Sequence, residues 1–275
     1  MIVYIDCGKH LLQDKSVSKL ARNGISIRTE RLNKTFDVVR AVSNLDLEVM
    51  SGSRFGFLGP NGAGKTTTVR ILSGLLKQTS GYAEVCGMDV SKDRDAIKAI
   101  TGLLPETPGL YSKLSAVEFL EFIGALNGRN GDGINRRIDS LLGILGLEGR
   151  QDDLLESYSS GMKQKVLVAS TLLHEPKVVF LDEPTSRLDP SASAIVKDLV
   201  LILAEETDTT FFICTHMTNF AEDVCDVIGI LNEGRLVTQG APHDIIETTG
   251  ARNLEDAYLK IVGGKVDREV LLAWR

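Results

Sequence analysis

Residues Gly59-Pro60-Asn61-Gly62-Ala63-Gly64-Lys65-Thr66-Thr67 carry the spacing G-x-x-x-x-G-K-[ST], which suits a polyphosphate. Glycines let the backbone curl so that several N–H groups face one anion, and a following helix adds the positive end of its dipole. Lys65 then supplies a point charge for β- and γ-phosphates, and Thr66 a hydroxyl ligand for Mg²⁺. Asp182 and Glu183 close the apolar run Val178-Val179-Phe180-Leu181. In a phosphate-loop ATPase such an Asp holds Mg²⁺ through its waters, and such a Glu orients or deprotonates the attacking water. His216 follows the apolar run Thr209 to Cys214 and either hydrogen-bonds a γ-phosphate or serves the structure alone. Ser159 and Gly161, in Tyr158-Ser159-Ser160-Gly161, precede a helical pattern. Local residues alone favour a plain N-cap there over a second anion site.

The elements around these residues fit the chemistry. The loop lies between the apolar run Phe55 to Leu58 and a helical face of Val69, Ile71, Leu72 and Leu75, the strand–loop–helix context the motif requires. Ile25, Ile27, Leu32, Val42, Leu45, Leu47 and Val49 alternate as half-buried strand. Phe36 falls in a polar stretch, Asn33 to Asp37, read as a turn, where an aromatic either stacks on a purine or packs. Asn33-Lys34 is not the guanine-reading N-K-x-D, because Phe36 stands in the Asp position and the pair precedes the phosphate loop. Gly81 to Val90 reads as a strand and turn, Ile100 to Leu104 as another short strand, and Pro105 to Tyr111 as a connector. From Leu114 to Leu147 the periodicity is helical, with Val117, Leu120 and Ile123 on one face and Ile138, Leu141, Leu142 and Leu145 on another. Val178 to Leu181 suits a strand buried on both faces of a parallel sheet, with its acids at the end where such sheets bind ligands. Asp189-Pro190 starts a helix carrying Ile195, Leu199 and Ile202 inward. Val227 to Leu231 and Arg235 to Gln239 form a hairpin, and Leu254, Tyr258, Ile261 and Val262 a closing helix.

At 275 residues, 43% hydrophobic and 25% charged, the chain has the composition of a globular protein with a sizeable core. Its net charge of −6 gives no support to broad nucleic-acid binding. Cys7, Cys86, Cys214 and Cys225 form no C-x-x-C pair, so reduced thiols are expected. No run approaches the ~18 apolar residues that read as a membrane span, and the start breaks too early for a signal-peptide core.

Taken together, the segments from about residue 25 to 240 resemble the ATP-binding subunit of ABC transporters. Five motifs stand in that family's order: Gly59 to Thr67 as Walker A, Tyr158 to Met162 as the signature, Val178 to Glu183 as Walker B, Ser186 to Asp189 as the D-loop and His216 as the H-loop. Phe36 matches the aromatic of the A-loop, and Glu106 falls where the family has its Q-loop glutamine. The resemblance implies an α/β fold: a P-loop NTPase (RecA-like) core with a mainly parallel sheet, an antiparallel β-subdomain and an inserted α-helical subdomain at about 106–160. Residues 1–24 are then an N-terminal extension and 241–275 a short helical tail. It implies ATP and Mg²⁺ as cofactors, with Thr66, Asp182 and Glu106 on the metal, and Glu183 and His216 as catalytic residues. Ser159 and Gly161 become functional, completing the nucleotide site of a second ATP-binding subunit. The stretch from Pro105 to Tyr111, the Y-S-x-G-M-K-Q-K signature and Leu254 to Leu259 resemble ABC-2-type exporters. Those work with a separate transmembrane permease subunit, which would place the chain in the cytoplasm on the inner face of the membrane, with Glu106 to Tyr111 as candidate contact. Glu106, Ser160 and Arg187 depart from the commonest pattern and leave a heterodimer or a slow ATPase open. A non-transport ABC protein acting on the ribosome or DNA is the alternative; its fused domains or long coiled coil have no counterpart here.

Overall fold

The computed structural model describes residues 24–107, 109–186 and 188–263; the extension before residue 24, Arg187 and the end of the tail lie outside them. Strands β1 (Ile25–Phe36) and β2 (Val39–Met50) form a hairpin, followed by β3 (Arg54–Leu58), α1 (Lys65–Leu72), β4 (Ser80–Val85), β5 (Met88–Asp89), α2 (Arg94–Ile100) and β6 (Thr101–Leu104). Helices α3 (Ala116–Leu126), α4 (Asp132–Ile144) and α5 (Ser160–Leu172) come next. The second half alternates β7 (Val178–Asp182), α6 (Pro190–Glu206), β8 (Thr210–Thr215), α7 (Thr218–Val224), the hairpin β9 (Val227–Asn232) and β10 (Arg235–Gly240), then α8 (Pro242–Thr249) and α9 (Leu254–Val262).

Two sheets result. The order β2-β1-β4-β5 is antiparallel, and β10-β9-β3-β8-β7-β6 is parallel except for its β10 edge. Residue alternation along the parallel strands divides the core. Phe55, Phe57, Val178, Phe180, Phe212 and Cys214 face the antiparallel sheet and α1, while Val179, Leu181, Phe211 and Ile213 face the helical layer. Phe212 is the hub of the first cluster, with ring centroids 5.3 Å from Phe55, 5.2 Å from Phe57 and 5.7 Å from Phe180. Burying each such side chain contributes about 1.5–3 kcal/mol, so this seam fixes the relation of three strands whose ends carry the site.

Several sequence expectations needed correction. Asn33 to Phe36 is the end of β1, and the turn is Asp37-Val38; Asp37 takes the positive φ of 50°. Leu75 lies beyond the end of α1 and is exposed. The buried face of α3 is Ala116, Phe119, Leu120 and Gly124, with Val117 and Ile123 at its margin. Ile202 points outward from α6, whose buried residues are Ala192, Val196, Leu199, Val200 and Ala204. Helix α8, within the stretch read as a short helical tail, carries its own start and stop signals in Pro242 at its first turn and Gly250 at its left-handed C-cap.

Candidate active site

The phosphate loop leaves the C-terminal end of β3 and is clamped from both sides. Gly234 N–H donates to Ala63 O at 2.9 Å, and Ser43 N–H to Gly234 O at 2.8 Å, tying loop, β2 and the β9–β10 turn together. Two glycines are required by this packing. A Cβ on Gly59 would lie 2.5 Å from Leu231 O, and one on Gly64, at φ +105°, would lie 2.2 Å from Ala41 O. Within the loop, Ala63 N–H closes a turn on Pro60 O, Ala63 is buried, and Asn61 and Gly62 are exposed. Thr67 is half-buried at the first turn of α1.

Lys65, 7% exposed, curls back over the loop and donates to Gly59 O at 2.6 Å and Pro60 O at 3.2 Å. Thr66 Oγ1 donates to Asp182 Oδ2 at 2.7 Å. This bond joins residues 116 positions apart, because β7 and β3 both flank β8 and end at the same edge of the sheet. Burial pushes the Asp182 carboxyl up; Glu106 and Glu183 push it further, while the Thr66 hydroxyl and Lys65 oppose them. Glu106, exposed in the bend after β6, is therefore electrically part of the site.

Glu183 takes a left-handed backbone, φ +54°, immediately after β7, an uncommon conformation for this residue type and a mark of a functional turn. Its N–H is held by Cys214 O at 2.9 Å. Its carboxylate is 8% exposed, with Lys65 Nζ 4.0 Å from Oε1. His216 Nδ1 lies 2.9 Å from the same oxygen, an N–H donating to a carboxylate. Thr215 Oγ1 donates to Oε2 at 3.3 Å. Sequence reasoning missed Thr215; its signal was a hydroxyl at the end of a buried strand, next to the singled-out histidine.

Other candidates sit elsewhere. Phe36 is at the tip of the β1–β2 hairpin, 44% exposed, with Lys34 Nζ 4.7 Å from its ring centroid. Ser159 caps α5, accepting from Met162 N–H at 3.2 Å, and a Cβ on Gly161 would meet Leu188 and Asp189 at ordinary contact distance. Among the described residues no hydrogen bond joins Ser159 or Gly161 to Lys65, Thr66, Asp182 or Glu183. Gln164, buried on α5, does donate to Pro184 O at 3.2 Å, one residue past Glu183.

A phosphate loop, an Asp-and-Glu strand end and a histidine just past the end of the neighbouring strand thus meet at one sheet edge. Residues 42–186 match the ABC transporter family. The chain belongs to that family. It is 38% identical over 231 residues to the bacitracin transport ATP-binding protein BcrA of Bacillus licheniformis, covering 83% of this chain and 74% of that protein. The daunorubicin/doxorubicin resistance ATP-binding protein DrrA of Streptomyces peucetius is 34% identical over 83% of this chain and 69% of its own length. A solved ATP-binding subunit of an ABC transporter superposes with TM-score 0.78 at 28% identity, covering 86% of this chain and 99% of that one. The cbiO1 subunit from Clostridium perfringens, part of the ABC transporter complex cbiONQ, gives TM-score 0.73 at 28% identity over 86% of this chain and 99% of its own. As an ABC ATPase the chain binds and hydrolyses ATP, on the P-loop NTPase fold expected from its motifs. No described helix is long and apolar enough to cross a membrane.

Proposed function

We propose that the chain is the energy-coupling ATPase of an exporter, closing with a second ATP-binding subunit around two ATP molecules and driving a separate membrane permease. The observation that carries the hydrolytic part is the Glu183 carboxylate, fixed between Lys65, Thr215 and His216 beside the Thr66–Asp182 pair. Glu183 takes the proton of the water that attacks the γ-phosphorus, and His216 holds it and reaches the γ-phosphate. Gly59 to Thr67 wraps the phosphates with backbone N–H groups, Lys65 neutralises their charge, and Phe36 stacks on the purine.

The donor set fits a magnesium ion: a neutral hydroxyl and a buried carboxylate, hard oxygens converging at 2.7 Å. Thr66, Asp182 and Glu106 would hold it, and when bound it withdraws charge from the β- and γ-phosphate oxygens. Ser159 and Gly161 are read as the half-site offered to the partner subunit's nucleotide, because Ser159 is exposed and, among the described residues, neither makes a hydrogen bond to this chain's own phosphate loop.

Support for an exporter lies in the names of the relatives: bacitracin transport, daunorubicin/doxorubicin resistance, and the Nod factor export ATP-binding protein I of Cupriavidus metallidurans, 34% identical over 79% of this chain and 71% of its own length. The permease is proposed to touch the connector around Glu106 to Tyr111, where Tyr111 is exposed and edge-on to Phe122 at 5.4 Å. That contact would hold the chain on the cytoplasmic face of the membrane. In Glu183→Gln, hydrolysis is expected to fall to background while ATP still binds and a dimer accumulates on gel filtration. Hydrolysis at the parent rate would remove Glu183 from the role. Co-purification with ribosomes or DNA instead of a membrane protein would favour a non-transport ABC ATPase.

A further inference from the structure

Thr215 has no assigned part in the reaction, yet it is buried completely, with 0% exposure. A hydroxyl has one proton and can accept through its lone pairs. Here Met217 N–H donates to Thr215 Oγ1 at 3.0 Å, so an accepting position is taken. The proton is then directed to Glu183 Oε2, 3.3 Å away. The two carboxylate oxygens are thereby treated differently. Oε1 faces His216 Nδ1 at 2.9 Å and the Lys65 ammonium at 4.0 Å, whereas Oε2 is anchored by Thr215.

The backbone adds a reason for the anchor. Glu183 departs from β7 in the left-handed region at φ +54°, and its N–H is already spent on Cys214 O. Beyond Cβ its side chain has rotatable bonds that nothing in the backbone fixes. A contact on Oε1 alone leaves the carboxylate free to rotate about its last bond, and a second contact on Oε2 removes that freedom. Thr215 stands next to Cys214 on β8, so one strand end holds both the main chain and the carboxylate of the same residue.

We propose that Thr215 is a positioning residue for hydrolysis, holding the plane of the Glu183 carboxylate so that one oxygen faces the attacking water. The inference rests on the reading of Glu183 as the base. A misplacement of a reacting group by a fraction of an ångström to an ångström lowers turnover by about tenfold to a hundredfold, and the interaction is felt in turnover more than in substrate binding.

The test is steady-state ATP hydrolysis by full-length Thr215→Val, Thr215→Ser and, separately, Glu183→Gln, with thermal melting of every variant. Thr215→Val is expected to lower kcat about tenfold or more with the KM for ATP within about twofold. Thr215→Ser, which keeps the hydroxyl, is expected to recover most of the lost kcat. Parent-like turnover in Thr215→Val overturns the proposal, as does an equal loss in Thr215→Ser. Unchanged hydrolysis in Glu183→Gln alone overturns instead the assignment of the base, so the two failures are distinguishable.

Discussion

The two corners of this chain that we propose to bind phosphate are built in opposite ways. Around Lys65, contacts span the sequence: Thr66 reaches Asp182, Lys65 reaches Glu183, and Glu183 reaches Thr215 and His216. Around Ser159 the hydrogen bonds are local, from Met162 N–H to its hydroxyl and from Lys163 N–H to its carbonyl, although Leu188 and Asp189 pack beside Gly161. The first corner is assembled by the parallel sheet, which brings the ends of β3, β7 and β8 to one edge. The second is one helix start on the helical layer. A corner satisfied by long-range bonds can do chemistry within its own chain, whereas a locally satisfied, exposed corner is available to another molecule. The difference therefore bears on which half of the reaction each supplies, and substitutions can separate them.

The largest effect is expected at the assembled corner. Asp182 is buried with Glu106 and Glu183 nearby, and its carboxyl sits above the usual range chiefly through burial. A carboxyl raised in the folded state contributes its stability at low pH and loses it as pH rises through its folded-state value, so near neutrality the ionised group is a net cost. Asp182→Asn should therefore abolish hydrolysis while the melting temperature of the nucleotide-free protein holds or rises. The gain over the parent should shrink as the pH of the melt is lowered toward the usual carboxylate range. A lower melting temperature near neutrality would show that the Thr66 bond outweighs burial.

A somewhat smaller effect is expected at the exposed corner. Gly161 has room for a Cβ, with Leu188 Cδ2 the nearest neighbour at 3.7 Å, so Gly161→Arg should fold with little change in melting temperature. Its hydrolysis should fall at least tenfold if the corner serves a partner's nucleotide, an effect about the size of one lost transition-state contact. Mixing it with Asp182→Asn should restore measurable hydrolysis, since one mixed pair then carries an intact assembled corner facing an intact exposed one. Two inactive variants that stay inactive when mixed would break the comparison, because each chain would then complete its own site.

Legibility in the sequence followed the same division. The phosphate loop, the strand Val178 to Asp182 and the caps Ser159 and Asp189 are local patterns, and each lies in an element of the expected type. Glu183 holding Thr215 was not legible, because it depends on which strands neighbour β7 and on the positive φ at Glu183, neither of which local residue order encodes. Helix faces failed where the periodicity was read without the neighbour: Ile202 is exposed on α6 because Val196, Leu199 and Val200 already fill the side toward the core. The turn reading around Phe36 failed for a related reason, since its polar neighbours Asn33, Lys34 and Thr35 belong to β1 and use strand pairing to β2.

The smallest expected effect addresses what Ser159 does for its own helix. Its hydroxyl satisfies Met162 N–H, and replacing such a cap by alanine costs about 1 kcal/mol. On a chain of this size that is a fall of a few degrees in melting temperature at most. Aspartate caps helices as well as serine does, so Ser159→Asp should keep the parent's melting temperature. It also places a fixed negative charge where a partner's phosphate would sit. If Ser159 only caps, Ser159→Asp hydrolyses ATP like the parent and Ser159→Ala is the weaker of the two. If the hydroxyl faces a phosphate, the order reverses: Ser159→Ala retains more hydrolysis than Ser159→Asp despite being less stable. Melting and turnover measured on the same two variants therefore separate the cap from the anion contact, because the two roles rank them in opposite order.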